Sequence, residues 1–191
     1  MEQLSERVSI ERGEGRLSVV ISARTSRGSE ALLIAWSLAW LLCGVYVMVT
    51  RNGLSEEDPL RQYLLAFMAF WLYFAVAIGK ALLWRLKGFE LWRIKYGTLV
   101  VKDSLFGYGK AQNYFVDNIQ QLGLLQVDES SWKWQWNRSV WVIGGERLGF
   151  DHLGRKVVFG KGLTDEEAAR LVPLLKSALK YERRNSGSEV A

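Results

Sequence analysis

Only one cysteine, Cys43, and one histidine, His152, occur among the 191 residues. Disulfide frameworks, Cys/His zinc sites and Cys-His nucleophile pairs therefore cannot be built within one chain. Cys43 lies in an apolar run, where a free thiol packs as a small hydrophobe. A cleaved secretory signal is not expected, because Met1 to Arg7 carries Glu2 and Glu6 and no apolar run follows directly. The first apolar stretch is thus expected to stay in the chain as an anchor.

Nucleophile motifs are equally scarce. His152 follows Asp151 in a predicted turn, yet no serine, cysteine or second histidine is tied to the pair by spacing, so both read as turn residues. Gly160-Lys161-Gly162-Leu163 lacks the spacing of a phosphate-binding loop. No catalytic residue, cofactor or metal is predicted.

What the chain does have is two long uncharged runs. From Ala31 to Thr50 no residue is charged, and Gln62 to Gly79 is uncharged up to Lys80. About 20 apolar residues cross a hydrocarbon layer of roughly 30 Å. Lys80 can reach the headgroups from near a helix end, and Trp84, Arg85 and Lys87 have the aromatic and basic character of a membrane interface. The connecting loop holds Glu56, Glu57 and Asp58, while Arg16, Arg24 and Arg27 precede the first run and Arg85, Lys87, Arg93 and Lys95 follow the second. This charge bias predicts both termini in the cytoplasm of a multi-pass protein of the cell inner (plasma) membrane. Small residues at Ala35, Ala39 and Cys43, and at Ala75 and Gly79, recur every four positions, which predicts packing of these stripes within the hairpin. A competing use of one stripe is dimerisation.

The remainder alternates apolar and polar residues. Val8 and Ile10, then Leu17, Val19 and Ile21, predict a β-hairpin turning at Glu11 to Gly15. Strand patterns follow at Phe89, Leu91 and Ile94 and at Thr98 to Val101, then at about Ala111 to Val116, Ile119 to Val127, Val140 to Ile143, Arg147 to Asp151 and Lys156 to Phe159. Thr164-Asp165-Glu166-Glu167 is a capping box opening a helix that buries Ala168, Leu171, Leu175 and Leu179 and kinks at Pro173. The expected organisation is a hairpin segment over residues 1–29, a membrane helix over 30–50, an extracytoplasmic loop over 51–61, a second membrane helix over 62–84, a β-rich domain over 85–183 and a disordered tail over 184–191.

Short strands closed by a C-terminal amphipathic helix have the layout of a pleckstrin-homology-like (PH-like) antiparallel barrel. Leu91-Trp92-Arg93-Ile94 with Gly97 to Val101, Phe106-Gly107-Tyr108-Gly109 with Tyr114, and Gly145 to Asp151 running into Gly154 to Leu163 resemble a family of bacterial membrane proteins with a PH-like domain. The resemblance implies an α+β domain whose first two strands precede the transmembrane hairpin and whose remainder follows it. It implies an architecture and no particular activity. The chain departs from the family at Glu129 to Asn137, where a variable aromatic and glycine-rich insertion is usual.

Three surfaces stand out as contact candidates. Trp132, Trp134 and Trp136 alternate with polar residues, so in an extended segment three indoles share one face, suited to the domain's own core, a protein partner or the membrane interface. Arg155, Lys156 and Lys161 lie near the start of the C-terminal helix, where free amides and the helix dipole favour an anionic lipid phosphate; the alternative is a solvated basic rim. The formal charge of +5 fits cytoplasmic membrane-facing residues better than nucleic acid. The function expected is a membrane-anchored, non-enzymatic interaction module that binds a membrane protein or assembles with itself. The alternatives are an anionic-lipid sensor and an enzyme acting at the membrane surface.

Overall fold

The computed structural model describes residues 2–13, 16–24, 26–126, 130–139 and 142–188. Two compact units emerge, one of strands with a short helix and a long C-terminal helix and one made almost wholly of two long helices.

The helical unit contains α1 (Arg27–Gly53) and α2 (Pro59–Lys87). The Ser26 side chain caps α1 by accepting from the Ser29 amide at 3.4 Å. Asp58 accepts from Leu60 N at 2.9 Å ahead of Pro59, which at the first helical position loses no hydrogen bond. Both helices are long and apolar enough to cross a membrane. The core helix of a soluble protein buries its leucines; here Leu32, Leu38, Leu42, Val49, Leu65, Leu72 and Val76 are exposed. Each helix begins about three residues before the expected span and ends about three after it, because capping and flanking polar turns continue the backbone hydrogen bonding beyond the apolar run.

The two helices meet through Trp40 and Trp71. Trp71 Nε1 donates to the Trp40 carbonyl at 2.9 Å, and Trp40 Nε1 donates to the Trp71 carbonyl at 3.4 Å. Gly44 makes room for this arrangement: a Cβ there would lie 2.1 Å from Cζ2 of Trp71. Leu33, Ser37, Trp40, Gly44 and Val47 form the sheltered face of α1 at helical spacing. The predicted packing of Ala35, Ala39 and Cys43 is therefore corrected, since all three are exposed and face away from α2. On α2, Ala75 and Gly79 are half-buried, but beyond Gly79's own neighbours and the local α2 backbone no atom comes within 4 Å of where a Gly79 Cβ would sit. A stripe rule weighs only small size, whereas the indole of Trp71 fills the space that one particular glycine leaves.

In the β unit, β1 (Glu2–Gln3), β2 (Val8–Gly13), β3 (Arg16–Ser22), β4 (Gly88–Lys95), β5 (Thr98–Leu105) and β6 (Ala111–Phe115) form one antiparallel sheet in chain order. A single 3-10 turn, Val116–Asn118, leads to β7 (Ile119–Leu124), which pairs with β8 (Glu146–His152) and β9 (Arg155–Lys161) in a three-stranded sheet. Strand β3 ends at Ser22 and β4 begins at Gly88, yet they pair directly, Leu17 opposite Ile94 and Ser22 opposite Phe89. The segment before the two helices and the segment after them thus build one sheet.

Two tight hairpins use left-handed pairs, Tyr96-Gly97 between β4 and β5 and Leu153-Gly154 between β8 and β9, the conformation that matches strand twist. Between β7 and β8 a short helix α3 (Trp132–Arg138) occurs. Val142 and Ile143 belong to no strand, which corrects the expected strand over Val140 to Ile143; Val140 and Trp141 lie outside the described residues.

The core joins Val8, Ile10, Val19, Trp92, Ile94, Leu99, Leu148, Phe150 and Phe159 from both sheets. Trp92 and Phe159 meet edge to face at 4.7 Å between centroids. Helix α4 (Asp165–Ser188) lays Ala168, Leu171, Leu175 and Leu179 onto this core, the four positions its periodicity picks out. Its capping box is formed, with Glu167 N donating to Thr164 Oγ1 at 3.2 Å and Thr164 N donating to Glu167 Oε2 at 2.9 Å. The helix continues through Pro173 to Ser188, so the expected disorder over 184–188 is replaced by helix, while 189–191 lie outside the described residues. The coarse layout of apolar helical pair, antiparallel sheets and C-terminal helix is present.

Candidate functional site

Strand β4 places its inward side chains at Glu90, Trp92 and Ile94, with Phe89 and Leu91 only half-buried. A carboxylate therefore stands at a core-facing position. Glu90 is 1% exposed. Its Oε1 accepts from Trp92 Nε1 at 2.7 Å and from the Gly160 amide at 2.9 Å, and Oε2 accepts from the Lys161 amide at 2.9 Å. Gly160 holds φ at 80°, a left-handed conformation that presents two successive amides to one anion. Burial pushes the Glu90 carboxyl above the usual carboxylate range, and the three donors and the Lys161 charge pull it only part of the way back. Both of its oxygens are engaged, so Glu90 pins β9 to β4 across the two sheets.

Sequence reasoning missed Glu90. The signal was the strand period: Trp92 and Ile94 share its parity, and a charged residue in that register must be buried with partners.

A second polar junction ties the N-terminal segment to α4. Glu167 Oε1 accepts from Ser5 Oγ at 2.6 Å and Oε2 faces Arg7 Nη2 at 3.4 Å, where Arg7 also donates to the Gly162 carbonyl at 3.0 Å. Partial burial opposes ionisation of Glu167, but the bonds from Ser5 and Thr164 and the Arg7 charge outweigh it and hold the carboxyl below the usual range.

This junction bears on the proposed anion site. The amide end of α4 is filled by the chain's own Glu167. Lys161 forms an ion pair with Asp103. Arg155 and Lys156 are exposed at the opposite end of β9, about 16–20 Å from Lys161 at strand rise. The structure does not bring the three cations together.

The tryptophans are also separated. Helix α3 is not extended, so Trp132 and Trp136 share one face, 71% and 60% exposed, and Trp134 turns to the other at 7%. Trp134 stacks over the Arg147 guanidinium at 4.8 Å, and Arg147 pairs with Asp165 at 3.2 Å. One indole is core and two are surface.

His152 ends β8 and stacks edge to face on Tyr114 at 5.1 Å, a packing contact. Among the described residues no group of three or more His, Cys, Asp or Glu side chains could hold a metal ion.

Two open clefts flank α4. One, of about 420 Å³, has Leu17, Ile94 and Ala178 among its lining, with Arg12, Arg16 and Glu182 beside them. Glu182 is already used, accepting from the Gly97 amide at 2.7 Å. The other, of about 570 Å³, lies between β7 and α4. The buried carboxylates Glu90 and Glu182 both accept hydrogen bonds from backbone amides. No protein-family model matches the chain, and no curated protein matches it either.

Proposed function

We propose that the chain is a membrane-anchored, non-enzymatic interaction module. In this reading α1 and α2 cross the inner membrane as a hairpin with both termini in the cytoplasm. The β unit is a PH-like domain, as the family resemblance implies, that binds or steadies a membrane protein or a complex containing one. The observation that carries the reading is the pairing of β3 with β4. Two helices with exposed apolar surfaces leave one sheet and return to its neighbouring strand, so a folded domain is tethered at two points rather than one. Such a tether limits reach and tumbling and raises the effective concentration of the domain toward anything in the same membrane. The dispersal of Arg155, Lys156 and Lys161 gives the lipid-sensing alternative less support.

Crosslinking in native membranes followed by mild detergent extraction tests the role. Discrete higher-mass products containing the chain are expected, and a lone monomer would overturn it.

A further inference from the structure

The turn between β5 and β6 carries two aromatic side chains that the fold leaves outside. Phe106 is 56% exposed and Tyr108 is 84% exposed. The turn itself is tightly held. Leu105 N donates to the Tyr108 carbonyl at 2.7 Å and Tyr108 N donates to the Leu105 carbonyl at 3.0 Å. Between them Phe106 and Gly107 hold φ at 53° and 86°. Lys102 Nζ donates to the Gly107 carbonyl at 3.1 Å, and a Cβ on Gly109 would lie 1.8 Å from the Asp103 carbonyl oxygen. Both rings are thus presented on a frame set in advance, which lowers the entropic cost of using them. Asn, Asp or Gly suits the first left-handed position of such a turn better than Phe, so turn geometry does not account for the residue at 106.

Position along the sheet sets this turn apart from the Tyr96-Gly97 turn. Strand β4 begins at Gly88, directly after α2 ends at Lys87, and Leu105 stands opposite Gly88. Strand β5 runs antiparallel to β4, so the residues after Leu105 continue past Gly88 on the side from which the chain arrives. One strand spacing and one residue step keep the Phe106 backbone within about 10 Å of Gly88. Tyr96, 82% exposed, closes the far end of β4, roughly 25 Å away at strand rise. From Lys80, where the apolar run ends, to Lys87 is about 10 Å of helix, comparable with the roughly 5–8 Å headgroup layer of one leaflet.

We infer that the β5–β6 turn is a membrane contact separate from the two helices, which seats the Phe106 and Tyr108 rings in the lipid headgroup layer. The inference rests on the reading above that α1 and α2 cross the bilayer, and it names the face that the β unit turns to the lipid. An aromatic ring favours this layer because its apolar body leaves water while a tyrosine hydroxyl keeps its hydrogen bonds. Lys110, exposed beside the turn, is attracted by anionic headgroups. Added to the two chain connections, this contact stops the β unit from swinging and holds the Tyr96 end away from the lipid.

The test uses the full-length chain labelled with 3-fluorotyrosine, in phosphatidylcholine nanodiscs containing a lipid that bears a nitroxide on its acyl chain. Fluorine spectra are also taken with a water-soluble gadolinium chelate, and the variants Tyr73→Phe, Tyr96→Phe and Tyr108→Phe assign three of the seven tyrosine lines. The lipid nitroxide is expected to broaden Tyr108 about tenfold more than Tyr96, and gadolinium to do the reverse, because the two rings differ in depth by roughly 25 Å. Phe106→Asn suits the left-handed conformation and keeps the turn, yet it should shift Tyr108 toward the pattern of Tyr96. A Tyr108 line that matches Tyr96 in the wild type would overturn the contact. A line shielded from both probes would overturn it too, and give the turn to a protein partner. A Tyr108 line that ignores Phe106→Asn would show nearness to the bilayer without insertion, and overturn the anchor. Tyr73, exposed on α2, broadens with the lipid nitroxide if the helices span; failure there removes that reading itself and not the turn alone.

Discussion

At the residue scale, the most constrained side chain is Glu90. Truncation to Ala strands three donors, Trp92 Nε1 and the amides of Gly160 and Lys161, in the core. Leaving buried donors unpaired costs about 1–3 kcal/mol and the cavity adds to it, so Glu90→Ala is expected to destabilise the β unit by roughly 2–4 kcal/mol. Its pH dependence has a definite sign. The folded carboxyl titrates above the usual carboxylate range, so the unfolded chain releases this proton first as pH rises. The stability contributed by protonation is complete below the unfolded value and is lost as pH rises through the raised folded value. Denaturation of wild type and variant in mild detergent across this window should show the gap widening on acidification. A gap that narrows would mean that the ionised form is the one the fold prefers.

At the scale of elements, the pairing of α1 and α2 turns on Gly44. A methyl group there collides with an indole that is held by its own hydrogen bond, so Gly44→Ala must displace Trp71 and break its bond to the Trp40 carbonyl. Overpacking of this kind costs about 1–3 kcal/mol. Ala39 is exposed, and Ala39→Leu should leave the hairpin as stable as wild type. Unfolding in mixed micelles titrated with dodecyl sulfate compares the two; greater damage from Ala39→Leu would place the contact on the other face of α1.

For the whole molecule, the pairing of β3 with β4 is a topological statement. Strands in one sheet must fold in one compartment, so if α1 and α2 span the bilayer, reporters fused at Met1 and at Ala191 should both be found on the same side of the membrane. Reporters on opposite sides would be incompatible with that sheet in a membrane-inserted chain. The two attachments also mean that deleting the helices and joining β3 to β4 through a short turn should leave the sheet order possible, because Ser22 and Phe89 are already opposite each other.

Much of this was legible in the chain itself. The apolar runs, the β2–β3 hairpin and the Thr164 capping box are local patterns, each set by side chains within a few residues; the turn expected to include Asp151 and His152 is narrower, since both end β8 and Leu153-Gly154 alone make the reversal. Where the sequence reading failed, a distant partner decided. Trp132, Trp134 and Trp136 alternate in sequence, but α3 puts Trp134 on Arg147 and leaves the other two outside. Glu90 looks like an ordinary surface acid until β9 brings two amides to it. Gly44 is one small residue among several until Trp71 chooses it. The sequence by itself determined which segments are apolar and which period each follows, because those depend on the order of side chains alone. Only the tertiary structure decided which carboxylate is buried and which glycine is contacted, because each depends on residues far apart in the chain meeting at one point.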